Sequence, residues 1–192
     1  MSHKYYDEHA QEYYTSSANA DMSEPTGRFL SHIPKGSSIL DAGSGTGRDT
    51  KIFLDLGYQV SAFDASIEMV KLSSIFTGIQ TLHMTFEEIG FENQFDGIWA
   101  CASLLHVDRL SLDEVFIKLR KALKPNGVIY CSFKSRDSDY TKDGRNFTCF
   151  TKDALLAYIL QLNHFKIVDL WESADVRENR EFEMWVNAIL TI

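Results

Sequence analysis

Ile39-Leu40-Asp41-Ala42-Gly43-Ser44-Gly45-Thr46-Gly47 runs directly into a helical pattern, and this junction decides the fold. Ser38 to Asp41 reads as a short buried strand. Thr46 to Leu56 reads as a helix with Ile52, Phe53 and Leu56 on one face and Gly57 as its stop. Glycines at a strand-to-helix turn let the backbone approach a ligand closely, and the helix start offers unpaired N–H groups at the positive end of its dipole. The run predicts a pocket floor for a ligand with an anionic end. A dinucleotide site requires G-x-G-x-x-G, and counting from Gly43 the third glycine falls on Arg48. Asp41, ahead of the glycines, would repel a pyrophosphate; it suits fixing the loop or attracting an ammonium group.

Outward from this junction, β-type runs alternate with helical patterns, the sign of a mostly parallel sheet wrapped by helices. Tyr58 to Phe63 is the second strand, and Ser66 caps a helix reaching about Phe76. Gln80 to Met84 and Phe95 to Cys101 are strands three and four, the latter followed by a loop through His106. Ser111 and Glu114 make a capping box for a helix whose stripe is Leu112, Val115, Phe116, Leu119 and Leu123, stopped by Lys124-Pro125-Asn126-Gly127. Val128 to Phe133 is strand five, Ser135 to Asn146 a polar loop, and Thr151 to Leu162 a helix burying Leu155, Leu156, Ile159 and Leu160. Phe165 to Trp171 and Phe182 to Leu190 are the last two strands. Only Glu172 to Glu181 joins them, too short for a helical crossover, so they are expected to be antiparallel neighbours.

At 192 residues, 44% hydrophobic and 24% charged, the chain fits one α/β domain, residues 36–192, behind a polar N-terminal helical extension, residues 1–35. A net charge of -8 argues against a nucleic-acid partner, which needs Lys and Arg to neutralise phosphates. Cys101, Cys131 and Cys149 form no paired spacing, so neither a disulfide framework nor a metal site is expected. No run approaches a membrane span, and the start, Met1-Ser2-His3-Lys4-Tyr5-Tyr6-Asp7, has no apolar signal core. The expectation is a cytoplasmic monomer or homodimer with no membrane partner.

Asp64 ends the second strand about 20 residues after the glycine run, where a carboxylate can accept both hydrogen bonds of a ribose diol. Asp41-x-Gly43-x-Gly45-x-Gly47 with Asp64 resembles the class I S-adenosylmethionine-dependent methyltransferases, and the order of elements agrees over residues 36–192. The resemblance implies a Rossmann-like, seven-stranded, three-layer α/β/α fold with strand order 3-2-1-4-5-7-6 and the last strand antiparallel. It implies S-adenosylmethionine as cofactor and S-adenosylhomocysteine as product. Asp41, Ala42, Gly43, Ser44 and Gly45 would form the cofactor loop, the last three meeting the methionine part. Asp64 would hold the ribose and Ala65 the adenine edge. Thr85 and Phe86 would bracket the adenine, although the class usually has an acid where Thr85 stands, leaving its role to backbone or Glu87. Ala100 and Cys101, with Leu105, would cover the cofactor. A narrower resemblance, carried by Phe95 to Val107 and by Asp175-Val176-Arg177-Glu178-Asn179-Arg180, is to small bacterial methyltransferases named for tellurite resistance. It implies a small-molecule or metalloid oxyanion acceptor.

For the reaction itself, His106 is the leading catalytic candidate, because it follows strand four at the C-terminal edge of the sheet, where open α/β folds bind ligands. Capping the following turn, or facing solvent, is the competing role. His83 reads as a packed or edge histidine, and Cys101 as a small thiol lining the cofactor, since no His and Asp accompany it as a nucleophile would need. Tyr5, Tyr6, Tyr13 and Tyr14 are spaced by about two helical turns: they either pack on the domain or form a lid closing over the cofactor. Arg28, Arg48, Arg145, Arg177 and Arg180 are candidate anion contacts. A non-catalytic cofactor-binding module acting through a partner protein is the alternative from another class; a nicotinamide oxidoreductase is disfavoured by Arg48 and by the reversed last strand.

Overall fold

A computed structural model describes residues 2–177 and 180–192. Three short helices come first, α1 (His3–Glu8), α2 (Ala10–Ser17) and α3 (Ser23–Leu30). The α/β part follows as β1 (Ser38–Ala42), α4 (Arg48–Asp55), β2 (Gln59–Asp64), α5 (Ile67–Thr77), β3 (Thr81–His83), β4 (Phe95–Ala100), α6 (Leu112–Ala122) and β5 (Leu123–Lys134). A hairpin, β6 (Tyr140–Lys142) and β7 (Arg145–Phe147), precedes α7 (Lys152–Leu162), β8 (Lys166–Ala174) and β9 (Met184–Thr191). The main sheet has seven strands in the order β3-β2-β1-β4-β5-β9-β8, and β6 and β7 form a separate two-stranded sheet. Apart from that hairpin, this is the expected order. β1, β2, β3, β4 and β5 pair in parallel, and β9 runs antiparallel to both β5 and β8.

The central parallel strands β1, β4 and β5 are largely buried on both faces, as strands covered on both sides must be. Neighbouring side chains along a strand enter different cores: Leu40, Ile98, Ile129, Cys131 and Phe133 face one, with residues of α6 and α7, while Ile39, Trp99, Val128 and Tyr130 face the other, with Phe29 and Phe53. Phe29 of α3 is fully buried, and Gly97 of β4 leaves the space it fills, since a Cβ there would lie 2.6 Å from Phe29 Cζ. Trp99 stacks on Tyr130 with ring centroids 4.0 Å apart.

Several local expectations are corrected. The Ser111 capping box does not form: a 3-10 turn, Arg109–Ser111, capped by the Asp108 side chain on the Leu110 N–H, leads into α6 and leaves Ser111 without a side-chain cap bond. Lys124-Pro125-Asn126-Gly127 belongs to β5, with Asn126 left-handed at φ 64° and a register shift opposite Phe95 and Gly97. Ser135 to Asn146 is not all loop, since β6 and the start of β7 lie within it. Leu156 and Leu160 of α7 are exposed, at 38% and 64%, because the helix buries only the Leu155 and Ile159 edge. Leu56 and Phe182 are exposed as well. Other signals do form their structures: Ser66 Oγ accepts from the Met69 N–H at 3.2 Å, Thr151 caps α7, and Gly57 is left-handed at φ 86° beyond α4. Among the described residues, no helix is long and apolar enough to cross a membrane.

Candidate functional site

The glycine turn between β1 and α4 is held from below. The Gly43 and Ser44 N–H groups both donate to the Phe63 carbonyl, at 3.0 and 2.9 Å. Gly43 is left-handed, and a Cβ on it would sit 2.5 Å from Ser103 Cβ; one on Gly47 would sit 2.7 Å from Ser73 Oγ. These two glycines let neighbouring segments close in. Gly45 differs, because its Cβ direction is open apart from Tyr13 Cε1 at 3.6 Å. Gly43 and Gly45 both line a cavity, and Gly45 has room toward it. Ser44 Oγ is buried there with no hydrogen-bond partner among the described residues, an unsatisfied polar atom of the kind a ligand can satisfy.

Two carboxylates frame this turn. Asp64 Oδ2 accepts from the Gly45 N–H at 2.8 Å and Oδ1 from the Ser66 N–H at 2.9 Å, so the side chain ties β2 to the glycine turn and to α5. Burial raises its pKa, against the pull of those N–H groups. Asp41 is deeper and accepts from Thr50 Oγ1 at 2.6 Å, fixing α4 against β1; burial and then the nearby Asp49 charge raise its pKa. Arg48 places its fork on Asp49 at 2.7 and 2.9 Å, and Asp49 also accepts from Trp99 Nε1 at 2.8 Å. Burial works to lower the Arg48 pKa, but the Asp49 charge outweighs it and raises it.

The other wall comes from the ends of β4 and β5. Ser103 Oγ donates to the Ala42 carbonyl at 2.7 Å, and Ser132 Oγ accepts from the Ala102 N–H at 2.8 Å. Cys101 lines the cavity with its thiol pushed up to about 12 by burial, a poor state for a nucleophile. Thr85 and Phe86 line it too, with Thr85 and Glu88 forming a capping box at the turn. Ala42 and Ala100 are fully buried and are not among the lining residues. His83 stands on the exposed edge of β3, its Nε2 3.2 Å from the Ala65 carbonyl.

His106 ends a 3-10 turn, Leu104–His106. Its Nδ1 lies 2.9 Å from the Asn146 carbonyl, which can only accept, so Nδ1 carries the proton and Nε2 the lone pair. The Tyr6 hydroxyl, 2.8 Å away, donates to that lone pair. Burial, with a smaller push from the Arg145 charge, lowers the His106 pKa to about 4, while the Asn146 bond works the other way. The imidazole is therefore neutral at neutral pH. Burial also holds the Tyr6 phenol above its ordinary range, so it keeps its proton.

Helices α1 and α2 lie across this site. Tyr6 packs edge-on to Tyr13 at 5.3 Å, Asp7 Oδ1 accepts from Ser66 Oγ at 2.6 Å, and Arg48 Nη1 donates to the Ser17 carbonyl at 3.3 Å. Tyr14 points elsewhere, against Phe76. A cavity of about 940 Å³ beneath these helices is lined from Gly45 and Asp64 through Cys101 to His106, Arg145 and Trp185, within the size range of small-molecule sites. Of the candidate arginines, Arg28 pairs with Glu24 and Asp169, and Arg177 with Asp175. Arg145 lines the cavity from the unexpected hairpin. Of the stretch Asp175 to Arg180, Glu178 and Asn179 lie outside the described residues.

Residues 40–131 match the family described as "Methyltransferase domain". With the fold, that segment makes the chain similar to Rossmann-like methyltransferase domains. Among particular proteins, the chain is similar to Putative methyltransferase YqeM of Bacillus subtilis (strain 168), with 31% identity over 113 residues. That match covers 53% of this chain and spans about half, 46%, of the relative's length. Among solved structures it is similar to the 1,6-didemethyltoxoflavin-N1-methyltransferase of Burkholderia thailandensis, crystallised with 1,6-didemethyltoxoflavin and S-adenosylhomocysteine. The TM-score is 0.79 at 23% identity, covering 98% of this chain and 84% of that one. The [4+2]-cyclase SpnF is also similar, with TM-score 0.76 at 15% identity over 98% of this chain and 94% of that one. At these identities the likeness to solved structures is one of fold, and a methyltransferase and a cyclase share it.

Proposed function

We propose that this chain is an enzyme that methylates a small organic molecule, with His106 as the group that accepts the acceptor's proton. S-adenosylmethionine, when bound, supplies a methyl group already activated on a sulfonium sulfur. Three features of the cavity floor suit that group: the unsatisfied Ser44 Oγ, the open side of Gly45, and the Asp64 carboxylate, whose oxygens keep lone pairs beyond the two N–H bonds they accept. In this assignment Gly43, Ser44 and Gly45 take the methionine end, Asp64 the ribose, and Ala65, Thr85 and Phe86 the adenine. Asp41 holds the turn through Thr50, Cys101 is wall, and Ala42 and Ala100 act from behind it. Tyr6 and Tyr13 serve as a lid that excludes water while acceptor and donor are held in line.

The observation that carries the catalytic part is the lone pair of neutral His106 Nε2, directed at a cavity-lining hydroxyl and kept unprotonated by burial. An acceptor O–H or N–H replacing the Tyr6 hydroxyl would give its proton to that nitrogen. The aromatic walls suit an organic acceptor better than the metalloid oxyanion implied by the narrower resemblance.

The test is the pH dependence of S-adenosylhomocysteine release over a screen of small aromatic acceptors. His106, faced by Tyr6, Arg145 and the Asn146 carbonyl, titrates near 4, so kcat/KM should show no His106 inflection at 6.5 and should fall only as pH drops toward about 4. H106Q should remove that acid limb and lower kcat by roughly 10²-fold, the low end for general-base catalysis. Unchanged kcat and profile in H106Q would remove His106 from the chemistry.

A further inference from the structure

Resting on the methyltransferase reading, we propose that Arg145 is the acceptor's anion anchor. The acceptor is accordingly a planar aromatic or heteroaromatic molecule with an oxyanion or carbonyl oxygen next to its methyl-accepting O–H or N–H.

Among the described residues, Lys142 and Arg180 at the cavity are exposed, and the less exposed cations there differ in how they are paired. Arg48 is neutralised by both oxygens of Asp49, Arg177 by both oxygens of Asp175, and Lys134 is paired with Glu183 and with Asp175. Among the described residues, Arg145 has one ion pair, Nη2 to Asp143 Oδ2 at 3.1 Å, and that aspartate side chain is 52% exposed. Its own side chain is 15% exposed, and its Nε is buried with no hydrogen-bond partner among those residues. A buried guanidinium N–H left unsatisfied carries an uncompensated desolvation cost, and an oxygen of the bound molecule would remove it. The planar fork of arginine suits a carboxylate or enolate oxygen.

The surroundings define the rest of the ligand. The guanidinium lies over the Tyr5 ring at 3.7 Å and 5.3 Å from the Phe147 centroid. Phe147 in turn packs edge-on against the His106 ring at 5.0 Å and stacks flat on Tyr140 at 4.6 Å. Anion donor and proton acceptor thus share one aromatic neighbour, Phe147, so a ligand reaching both is flat and carries its two polar atoms close together. Arg145 meets Tyr5 and Tyr6, and the Tyr6 hydroxyl bonds His106, which assigns Arg145 to the acceptor end.

Calorimetry on the full chain saturated with S-adenosylhomocysteine tests this, with 2-hydroxybenzoate as probe and 2-hydroxybenzyl alcohol as its uncharged counterpart. The expected result is 2-hydroxybenzoate binding at least tenfold tighter than 2-hydroxybenzyl alcohol, with that advantage lost in R145Q and only partly kept in R145K, which retains the charge but not the planar fork, while S-adenosylhomocysteine binds R145Q within about twofold of the parent. Equal binding of both probes, or an R145Q protein that still prefers 2-hydroxybenzoate, overturns the anchor and leaves the methyltransferase reading standing. Loss of S-adenosylhomocysteine binding in folded R145Q also overturns it, by moving Arg145 to the cofactor end. Failure of the parent chain to bind S-adenosylhomocysteine overturns both.

Discussion

Single residues of the glycine turn divide the work that the motif alone makes look uniform. Gly43 leaves room for Ser103 and Gly47 for Ser73, and of the three Gly45 alone has a Cβ direction free of a close clash. G43A should therefore destabilise the fold by about 1–3 kcal/mol, the usual cost of overpacking a closed site, measured by urea unfolding. G45A should cost only the strain of a side chain at φ 55°, about 1–2 kcal/mol, yet weaken S-adenosylmethionine at least tenfold, since its methyl would enter the cavity without a clash. A stable G43A, or a G45A with full affinity, would contradict this division. Asp41, Gly45, Asp64 and His106 were legible in the sequence because each stands at a strand end or turn fixed by local pattern. The Arg48 pair with Asp49 and the Tyr6 bond to His106 were not, because the partners' geometry depends on how elements pack.

Among the elements, the strands of the main sheet were readable because each is a short apolar run bounded by turn residues, and the reversed last strand followed from the short Glu172 to Glu181 connection. The β6-β7 hairpin has a sequence signal as well, set within a polar stretch that reads as loop. Asp143-Gly144, with φ of 51° and 71°, is the dipeptide that two-residue hairpin turns favour, and Tyr140 and Phe147 pair across it. The polar residues around that turn disguised it as loop, and with it the position of Arg145. The Ser111 capping box failed for a different reason, since Asp108 starts the turn three residues earlier. Helices α1 and α2 supply Tyr6, Tyr13, Asp7 and the Ser17 carbonyl to the site. Removing residues 1–20 while keeping α3 should raise the dissociation constant for S-adenosylmethionine by tenfold or more, with the far-UV spectrum of the sheet domain retained. Unchanged affinity would reduce these helices to packing.

Over the whole molecule, alternate side chains of β1, β4 and β5 feed two cores on opposite faces of the sheet, and the C-terminal ends of the same strands deliver the glycine turn, Cys101 and Ser132 to one cavity. The fold explains where a ligand binds, and the cavity's chemistry explains which. Arg48 in place of a third glycine and Asp41 and Asp64 around the turn leave little to hold a pyrophosphate. Calorimetry of the purified chain with S-adenosylmethionine, S-adenosylhomocysteine and NAD tests this most directly, with D64A alongside. The predicted result is one-to-one binding of the first two, no binding of NAD, and an affinity loss in D64A of about 1–3 kcal/mol, the scale of lost hydrogen bonds to a charged group. Tight NAD binding with no binding of S-adenosylmethionine would contradict it.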